Sequence, residues 1–371
     1  AAFTTGNRVE IVYEDYSGDP MDLIDRINQP EPPDVIISPQ PATVVELAPY
    51  LVDLREFINE QSLHRDFGDY LLDLASADGA VMGAPIKVDL KTLVWYQPAE
   101  FESRGYTTPQ SFDELVALSD RMVADGETPW CNYIESGFAT GWLGTDWVED
   151  LLLSTEGPAV YDAWVDHDVI FQDPRVEEAF VRFQQMIDTA GYVWDRGNMT
   201  AINFFENASP LGSGECMMHK QASFFRFAIE LFGFDLEDFS TFKFPAVNNE
   251  FGDSALGGGM YVAALNEGKE VRKLVRFMVS QRFGRAALAE LGGWVLPNVR
   301  FDQNRYTDDM TRSVAEIVRD AIKAGQFRFD ASDLMPPEVG TGEFWFAIRD
   351  LVDGVRLLPA VLADIDDAWP S

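Results

Sequence analysis

The chain has 371 residues, 46 % of them hydrophobic, enough to bury a large core and to form two domains. Its formal charge of −34 at pH 7 excludes a nucleic-acid partner, because the protein would repel phosphate, and it disfavours anionic membrane surfaces equally. No apolar run approaches the roughly 18 residues of a membrane span. Only seven of the 28 basic residues are lysine, a balance that fits salt adaptation, a very soluble secreted protein or ordinary acidic drift. The N-terminal AAFTTGNRVEIVYE has no initiator Met, basic segment or apolar leader core, so a mature or trimmed chain is expected.

In chain order, Val9–Tyr13 reads as a strand. Asp34–Ile37, bracketed by Pro30, Pro32, Pro33, Pro39 and Pro41, reads as a strand buried on both faces of a parallel sheet. Leu93–Tyr96 is a further strand. Ser111 opens a helix through a capping box with Glu114, places Leu115, Leu118 and Met122 on one face, and Gly126 ends it. A second helix starts at Asp173–Pro174, turns Val176, Phe180, Phe183 and Ile187 inward, and stops at Gly191. Cys216–His219 and Met260–Ala264 read as strands, and the last hundred residues are mainly helical. This alternation predicts an α/β protein with mostly parallel sheets.

The stretch from Trp130 to Asp150, WCNYIESGFATGWLGTDWVED, stands apart. Its aromatics (Trp130, Tyr133, Phe138, Trp142, Trp147) follow neither a helical nor a strand period. Glycines at 137, 141 and 144 predict loops that bring backbone close to a neighbour. Flat apolar faces beside fixed hydrogen-bonding groups suit a sugar ring, with its apolar C–H faces and rim of hydroxyls, although any one aromatic fits a core equally well. Asp146, next to Trp147, suits two adjacent hydroxyls or, alternatively, the N-cap of a helix beginning near Trp147. The two cysteines, Cys131 and Cys216, form either one disulfide or two buried thiols, and the disulfide is favoured. The histidines His64, His167 and His219 are scattered without ligand spacing, so no metal site is expected.

Six segments carry a family resemblance: PPDVIISPQP (32–41), GAPIKVDLKTLVWYQP (83–98), TPWCNYIESGFATGWLGTDWVEDLLL (128–153), GECMMHKQASF (214–224), LGGGMYVAAL (256–265) and FRFDASDLMPPEVGTGEFWFAI (327–348). Taken in order, they resemble the carbohydrate-binding extracellular solute-binding proteins of ABC importers, of the α-glucoside type and related to maltose-binding proteins. The family's opening strand and loop, which precede the stretch equivalent to Arg8–Tyr13, have no counterpart here. The resemblance implies a two-lobed α/β fold of the type II, maltose-binding-protein-like periplasmic-binding class, with a ligand cleft between discontinuous lobes. Lobe 1 is expected to comprise residues 1–92 and 250–297, and lobe 2 residues 93–249 and 298–371. Cleft loops are expected beyond the carboxyl ends of strands.

The same resemblance implies an exported protein, periplasmic or at the cell surface, lipid-anchored through a segment not in this sequence or free. It would be a monomer that captures a sugar by lobe closure and delivers it to membrane permease subunits, with no cofactor and no catalysis. Gln40 follows a strand in a loop that touches sugar hydroxyls in maltose-binding proteins. Lys87 and Asp89 share one strand face where the family carries a ligand-contacting acid. Trp142, Asp146 and Trp147 are expected from the aromatic stretch, and Trp345 matches the stacking tryptophan of a Phe-Trp-aromatic run. His219 and Gln221, after a strand, together with Gly258 and Trp294, complete the expected ligand-binding set. The pair Asp330 and Asp333 reads as a turn or cap. A secreted glycoside hydrolase is the rival class, since acids and tryptophans serve it too, but no GxSxG, HExxH, P-loop or dinucleotide fingerprint occurs.

Overall fold

The computed structural model describes residues 3–4, 9–15 and 20–370. The strands used below are β1 (Val35–Ser38), β2 (Gly83–Leu90), β3 (Leu93–Tyr96), β4 (Met218–Lys220), β5 (Ser240–Lys243), β6 (Ala255–Ala264) and β7 (Phe327–Phe329). The helices are α1 (Phe112–Ala124), α2 (Trp142–Glu156), α3 (Pro174–Asp188) and α4 (Trp345–Val352). The chain divides into two compact units, Ala1–Asp89 with Gly258–Arg319, and Leu90–Gly257 with Asp320–Ser371.

In unit 1 the sheet runs in the order β1-β6-β2, and β1 pairs antiparallel with β6 from Val35↔Ala264 to Ser38↔Tyr261. Its core joins Leu54, Phe57, Leu63 and Phe67 to Ile86, Val262, Val271 and Val275. Gly259 carries no Cβ for a steric reason, since one there would collide with the Lys87 carbonyl. Residues 298–319, expected with the second lobe, belong to unit 1: the Val299 N–H donates to the Asp66 carbonyl at 2.9 Å, and the Leu296 N–H donates to the Tyr306 hydroxyl at 3.1 Å.

Unit 2 is built on β3, flanked antiparallel by β4 (Val94↔Lys220) and β5 (Val94↔Phe242), while the start of β6 pairs parallel with β7. Both expected helix starts are present. Ser111 accepts from the Glu114 N–H at 3.2 Å, and the Glu114 carboxylate accepts from the Gln110 N–H at 2.8 Å, one residue earlier than a reciprocal box places it. Asp173 accepts from the Arg175 N–H at 3.0 Å. Leu115, Leu118, Met122, Val176, Phe180, Phe183 and Ile187 are all buried.

Three expectations are corrected. The pairings of β1 with β6, β3 with β4 and β3 with β5 are antiparallel, because strands far apart in sequence run back along one another instead of following short crossovers, and that of β6 with β7 is parallel. β1 is buried on one face only, with Ile37 40 % exposed. Val9–Tyr13 has no regular structure, and Val12 and Tyr13 are 78 % and 83 % exposed; among the described residues no strand pairs with it.

Candidate functional site

The aromatic stretch folds around α2. Gly141 precedes the helix at φ 126°, a left-handed conformation open to glycine, and a Cβ there would strike the Trp345 carbonyl. The neighbour anticipated for this backbone is thus the protein's own α4. Helix α2 is buried on nearly every side, yet it carries Asp146, Glu149 and Asp150 at i, i+3 and i+4, neighbours on one face. Buried acids need partners. The expected start of the helix near Trp147, with Asp146 as its cap, is corrected: α2 begins at Trp142 and Asp146 lies inside it.

Those partners come from β3 and β7. Lys91, just before β3, bonds Asp146 Oδ1 through Nζ at 2.8 Å and also bonds Asp330, just after β7. The same ammonium sits 5.1 Å from the centroid of the Trp142 ring, a cation–π distance. Burial alone would lower the Lys91 ammonium, but Asp146, Asp330, Asp333 and Glu149 outweigh it and hold it well above the ordinary lysine range. Burial pushes the Asp146 carboxyl up to about 7 with Asp330 adding, against the pull of Lys91 and Lys220. Asp330 is held below its usual value, because Lys91 and the Ser332 hydroxyl overcome the burial that would raise it. Further along α2, Asp150 accepts from the Thr92 hydroxyl at 3.0 Å and pairs with Lys220 at 3.1 Å. Carboxylate oxygens of Asp146, Glu149 and Asp330 lie within 4.8 Å of one another, a spacing open to a metal ion, but the Lys91 ammonium is the cation held there.

The turn after β7 ties this cluster to α4. Glu149 accepts from the N–H groups of Ala331 at 3.1 Å and Ser332 at 3.2 Å. The Ser332 hydroxyl donates to Asp330 Oδ1 at 2.7 Å and accepts from the Trp345 indole N–H at 3.0 Å. Asp330 also accepts from the Asp333 N–H at 3.0 Å, so it does close the turn expected of it while serving Lys91. Trp345 is 4 % exposed; Phe344 beside it is core and Phe346 is half-buried, as their three directions on a helix require. Half-exposed rings edge the cluster: Phe138 stands 6.5 Å from Trp345, and Trp142 meets Phe204 at 5.3 Å and Phe224 at 6.0 Å.

Unit 1 holds a second set. Lys87 and Asp89, on one face of β2, form a buried ion pair at 2.7 Å, and the Lys87 ammonium lies 5.4 Å from the Trp294 ring centroid. The Trp294 indole donates to the Ile86 carbonyl at 3.1 Å. Gln40 sits before the helix Pro41–Glu46, where its N–H donates to the Ser38 hydroxyl at 3.1 Å and its side-chain oxygen accepts from that hydroxyl at 3.4 Å. Gly258 is buried backbone within β6.

Three further residues of the expected set are buried in unit 2. Trp147 lies five residues beyond Trp142, about 140° around the helix, and packs edge-on against Trp130 at 5.0 Å and Phe244 at 5.4 Å. His219 is fully buried on β4, donates from Nδ1 to the Cys131 carbonyl at 2.8 Å, and is pushed by burial down to about 3, so it stays neutral. Gln221 is buried, with its side-chain oxygen accepting from the Ala222 N–H at 2.7 Å. Strand alternation sends Lys220, between them, to the acids of α2 instead. Cys131 and Cys216 form a disulfide with Cα atoms 5.5 Å apart, fastening the start of the aromatic stretch to the segment leading into β4. The residues the expectations passed over are Lys91, Glu149 and Asp150. Lys91 was signalled by Lys87, Asp89 and Lys91 recurring at every second position of an apolar run, and Glu149 and Asp150 by acids set in the otherwise apolar LGTDWVEDLLL.

Carboxylates and a lysine fixed beside the partly exposed Trp142 ring are chemically suited to ligands rich in hydroxyls, accepting from some and donating to others. Residues 1–282 match the model of the bacterial extracellular solute-binding protein family, and the chain belongs to that family. It is 37 % identical to the osmoprotective compounds-binding protein GgtB of Synechocystis sp. over all of this chain and 88 % of that protein. It is 31 % identical to the alpha-glucosides-binding periplasmic protein AglE of Rhizobium meliloti, over all of this chain and 83 % of the relative. Among solved structures it superposes on the bacterial solute receptor AcbH with a TM-score of 0.80 at 18 % identity, covering 99 % of this chain and 91 % of that one. That likeness shows the fold, the α/β architecture of the maltose-binding-protein type expected from the sequence.

Proposed function

We propose that this chain is the sugar-capturing component of an ABC importer, that its cargo is an α-glucoside or a glucosylated osmolyte, and that it works outside the cytoplasm without catalysing a reaction. The observation that carries the reading is the Lys91–Asp146–Asp330 cluster beside Trp142 and Trp345. It combines oriented acceptors, a donor and apolar ring faces, which a neutral polyol requires and which an anionic ligand, facing several acids, would find repulsive. Membership of a family of extracellular binding proteins and the ligand classes in the names of GgtB and AglE support the same ligand class. Gln40, Lys87, Asp89 and Trp294 are proposed as the contribution of unit 1, and a permease as the acceptor of the cargo.

One observation favours a second reading. Asp146 and Asp330 are two buried carboxyls with values pushed apart, the pattern of an acid and its partner in glycoside hydrolysis. Lys91 bonding both argues against it, since a carboxyl paired with an ammonium is a poor general acid. A thermal-shift screen of the purified protein against trehalose, sucrose, maltose and monosaccharides, with product analysis of every hit, separates the two. A sugar at 100 times its Kd should stabilise the fold by about 2.7 kcal/mol and be recovered intact. Stabilisation followed by breakdown makes the protein a hydrolase. No stabilisation by any sugar removes the sugar reading.

A further inference from the structure

We infer that Glu149 is a positioning residue for the sugar site of unit 2: without touching ligand, it fixes Asp330 and Trp345 through the backbone of Ala331 and Ser332. This rests on the sugar-binding reading above. Glu149 is fully buried in the middle of α2, one turn after Asp146. A carboxyl there is costly, and an apolar side chain of similar volume would pack without that cost. What the carboxyl supplies is geometric. Its two oxygens accept from two consecutive N–H groups, Ala331 at 3.1 Å and Ser332 at 3.2 Å, which sets the orientation of the two successive peptide groups from Asp330 to Ser332.

Both ends of the stretch so held lead to candidate ligand contacts. On one side is Asp330, the acid bonded to Lys91. On the other is the Ser332 hydroxyl, which takes the Trp345 indole at 3.0 Å and returns to Asp330 at 2.7 Å. The Thr145 hydroxyl of α2, which donates to the Trp142 carbonyl at 2.9 Å, stands 3.4 Å from Ser332 Oγ and so packs α2 against the same turn. The helix that carries Trp142 and Asp146 therefore also sets the distance to Asp330 and the tilt of Trp345, and Glu149 is the side chain that transmits it. A misplacement of even 1 Å in such a set is costly for ligand recognition.

The test uses the whole protein with trehalose, sucrose and maltose as probes, followed by titration calorimetry below the melting temperature. Glu149→Leu keeps the volume and removes the acceptor; it should weaken binding of the best probe at least tenfold. Glu149→Gln, which retains one acceptor oxygen, should recover part of the loss. Combining Glu149→Leu with Trp345→Phe should cost less than the two losses multiplied, because both act through Ser332. A lowered melting temperature with unchanged Kd, or losses that multiply fully, means a purely structural acid and overturns the inference. If Glu149→Leu does not fold, Ser332→Ala carries the test: a several-fold loss supports the relay and unchanged affinity overturns it. Controls separate this failure from wider ones. Wild type binding none of the probes sinks the sugar reading and this inference with it, whereas Trp345→Ala and Asp146→Asn losing affinity while Glu149→Leu does not sinks this inference alone.

Discussion

The two units each bury a lysine against carboxylate beside a tryptophan, and they do so in opposite ways. In unit 1 the pair is local: Lys87 and Asp89 sit two residues apart on one strand and meet at 2.7 Å. In unit 2 the cluster is assembled from four separate stretches of chain, and the Lys91–Asp330 bond spans 239 residues. The local pair sets a lysine against an acid two residues away on the same strand. The assembled cluster sets Lys91 among Asp146, Asp330, Asp333 and Glu149, with Lys220 also pulling on Asp146, so the acids outnumber the lysines that face them. Excess acceptor capacity held in fixed positions is what a hydroxyl-rich ligand can use, which fits the sugar site proposed for unit 2.

That contrast is broken most sharply by removing each lysine in turn. Lys91→Met leaves several buried acids without their cation and should cost about 3–5 kcal/mol of unfolding free energy at pH 8, the range for breaking a buried pair. Lys87→Met should cost less. The loss from Lys91→Met should shrink at pH 5.5, because Asp146 and Glu149 already lean toward their protonated forms and can neutralise themselves. Urea denaturation at both pH values measures this. Equal losses for the two variants, or a loss from Lys91→Met that ignores pH, would mean the excess of acid in unit 2 carries no energetic weight.

The same contrast explains what the sequence makes legible. Helix starts at Ser111 and Asp173 are readable because a cap is a matter of three or four adjacent residues. So is the shared face of Lys87 and Asp89, since a period of two fixes those neighbours once the strand is known; the placing of Trp142 and Asp146 one turn apart is not, because the expected helix starts near Trp147 and the observed one at Trp142. The burial of Trp147 and His219 has the complementary cause: a neighbour in sequence points from another face of its helix or strand. Strand direction and the place of Asp330 depend on which distant segments meet, and no local pattern encodes that. Val9–Tyr13 carries a strand-like alternation with no strand among the described residues to pair with it.

A smaller effect sharpens the comparison through pH. The Asp146 carboxyl rises from its ordinary 3.8 to about 7 on folding, so between those values the folded chain holds a proton that the unfolded chain has lost. Its contribution to stability is therefore complete below about pH 3.8, declines as pH rises toward 7, and changes no further above that. Wild-type stability at constant ionic strength should fall from pH 5 to pH 7 more steeply than that of Asp146→Asn, by up to about 1.4 kcal/mol per pH unit for one proton. Parallel curves would mean that Lys91 keeps Asp146 ionised throughout, and the buried acid excess would then have to rest on Glu149.

The smallest predicted effect tests whether unit 1 takes part in binding at all. Gln40 has little structural work to lose: the backbone bond from its N–H to Ser38 at 3.1 Å survives truncation, and the side-chain contact at 3.4 Å is long. Gln40→Ala should therefore leave the melting temperature of the ligand-free protein almost unchanged. If the amide meets a sugar hydroxyl, the variant should lose about 0.5–1.5 kcal/mol of affinity, up to roughly tenfold in Kd. Only a ligand that loses affinity on substitution in either unit engages both, and only such a ligand can favour a closed state over an open one, because a ligand shifts an equilibrium by no more than its differential affinity for the two states. An unchanged Kd for Gln40→Ala, with Asp146→Asn strongly impaired, would assign recognition at these positions to unit 2 and leave the local lysine–acid pair of unit 1 as part of its fold.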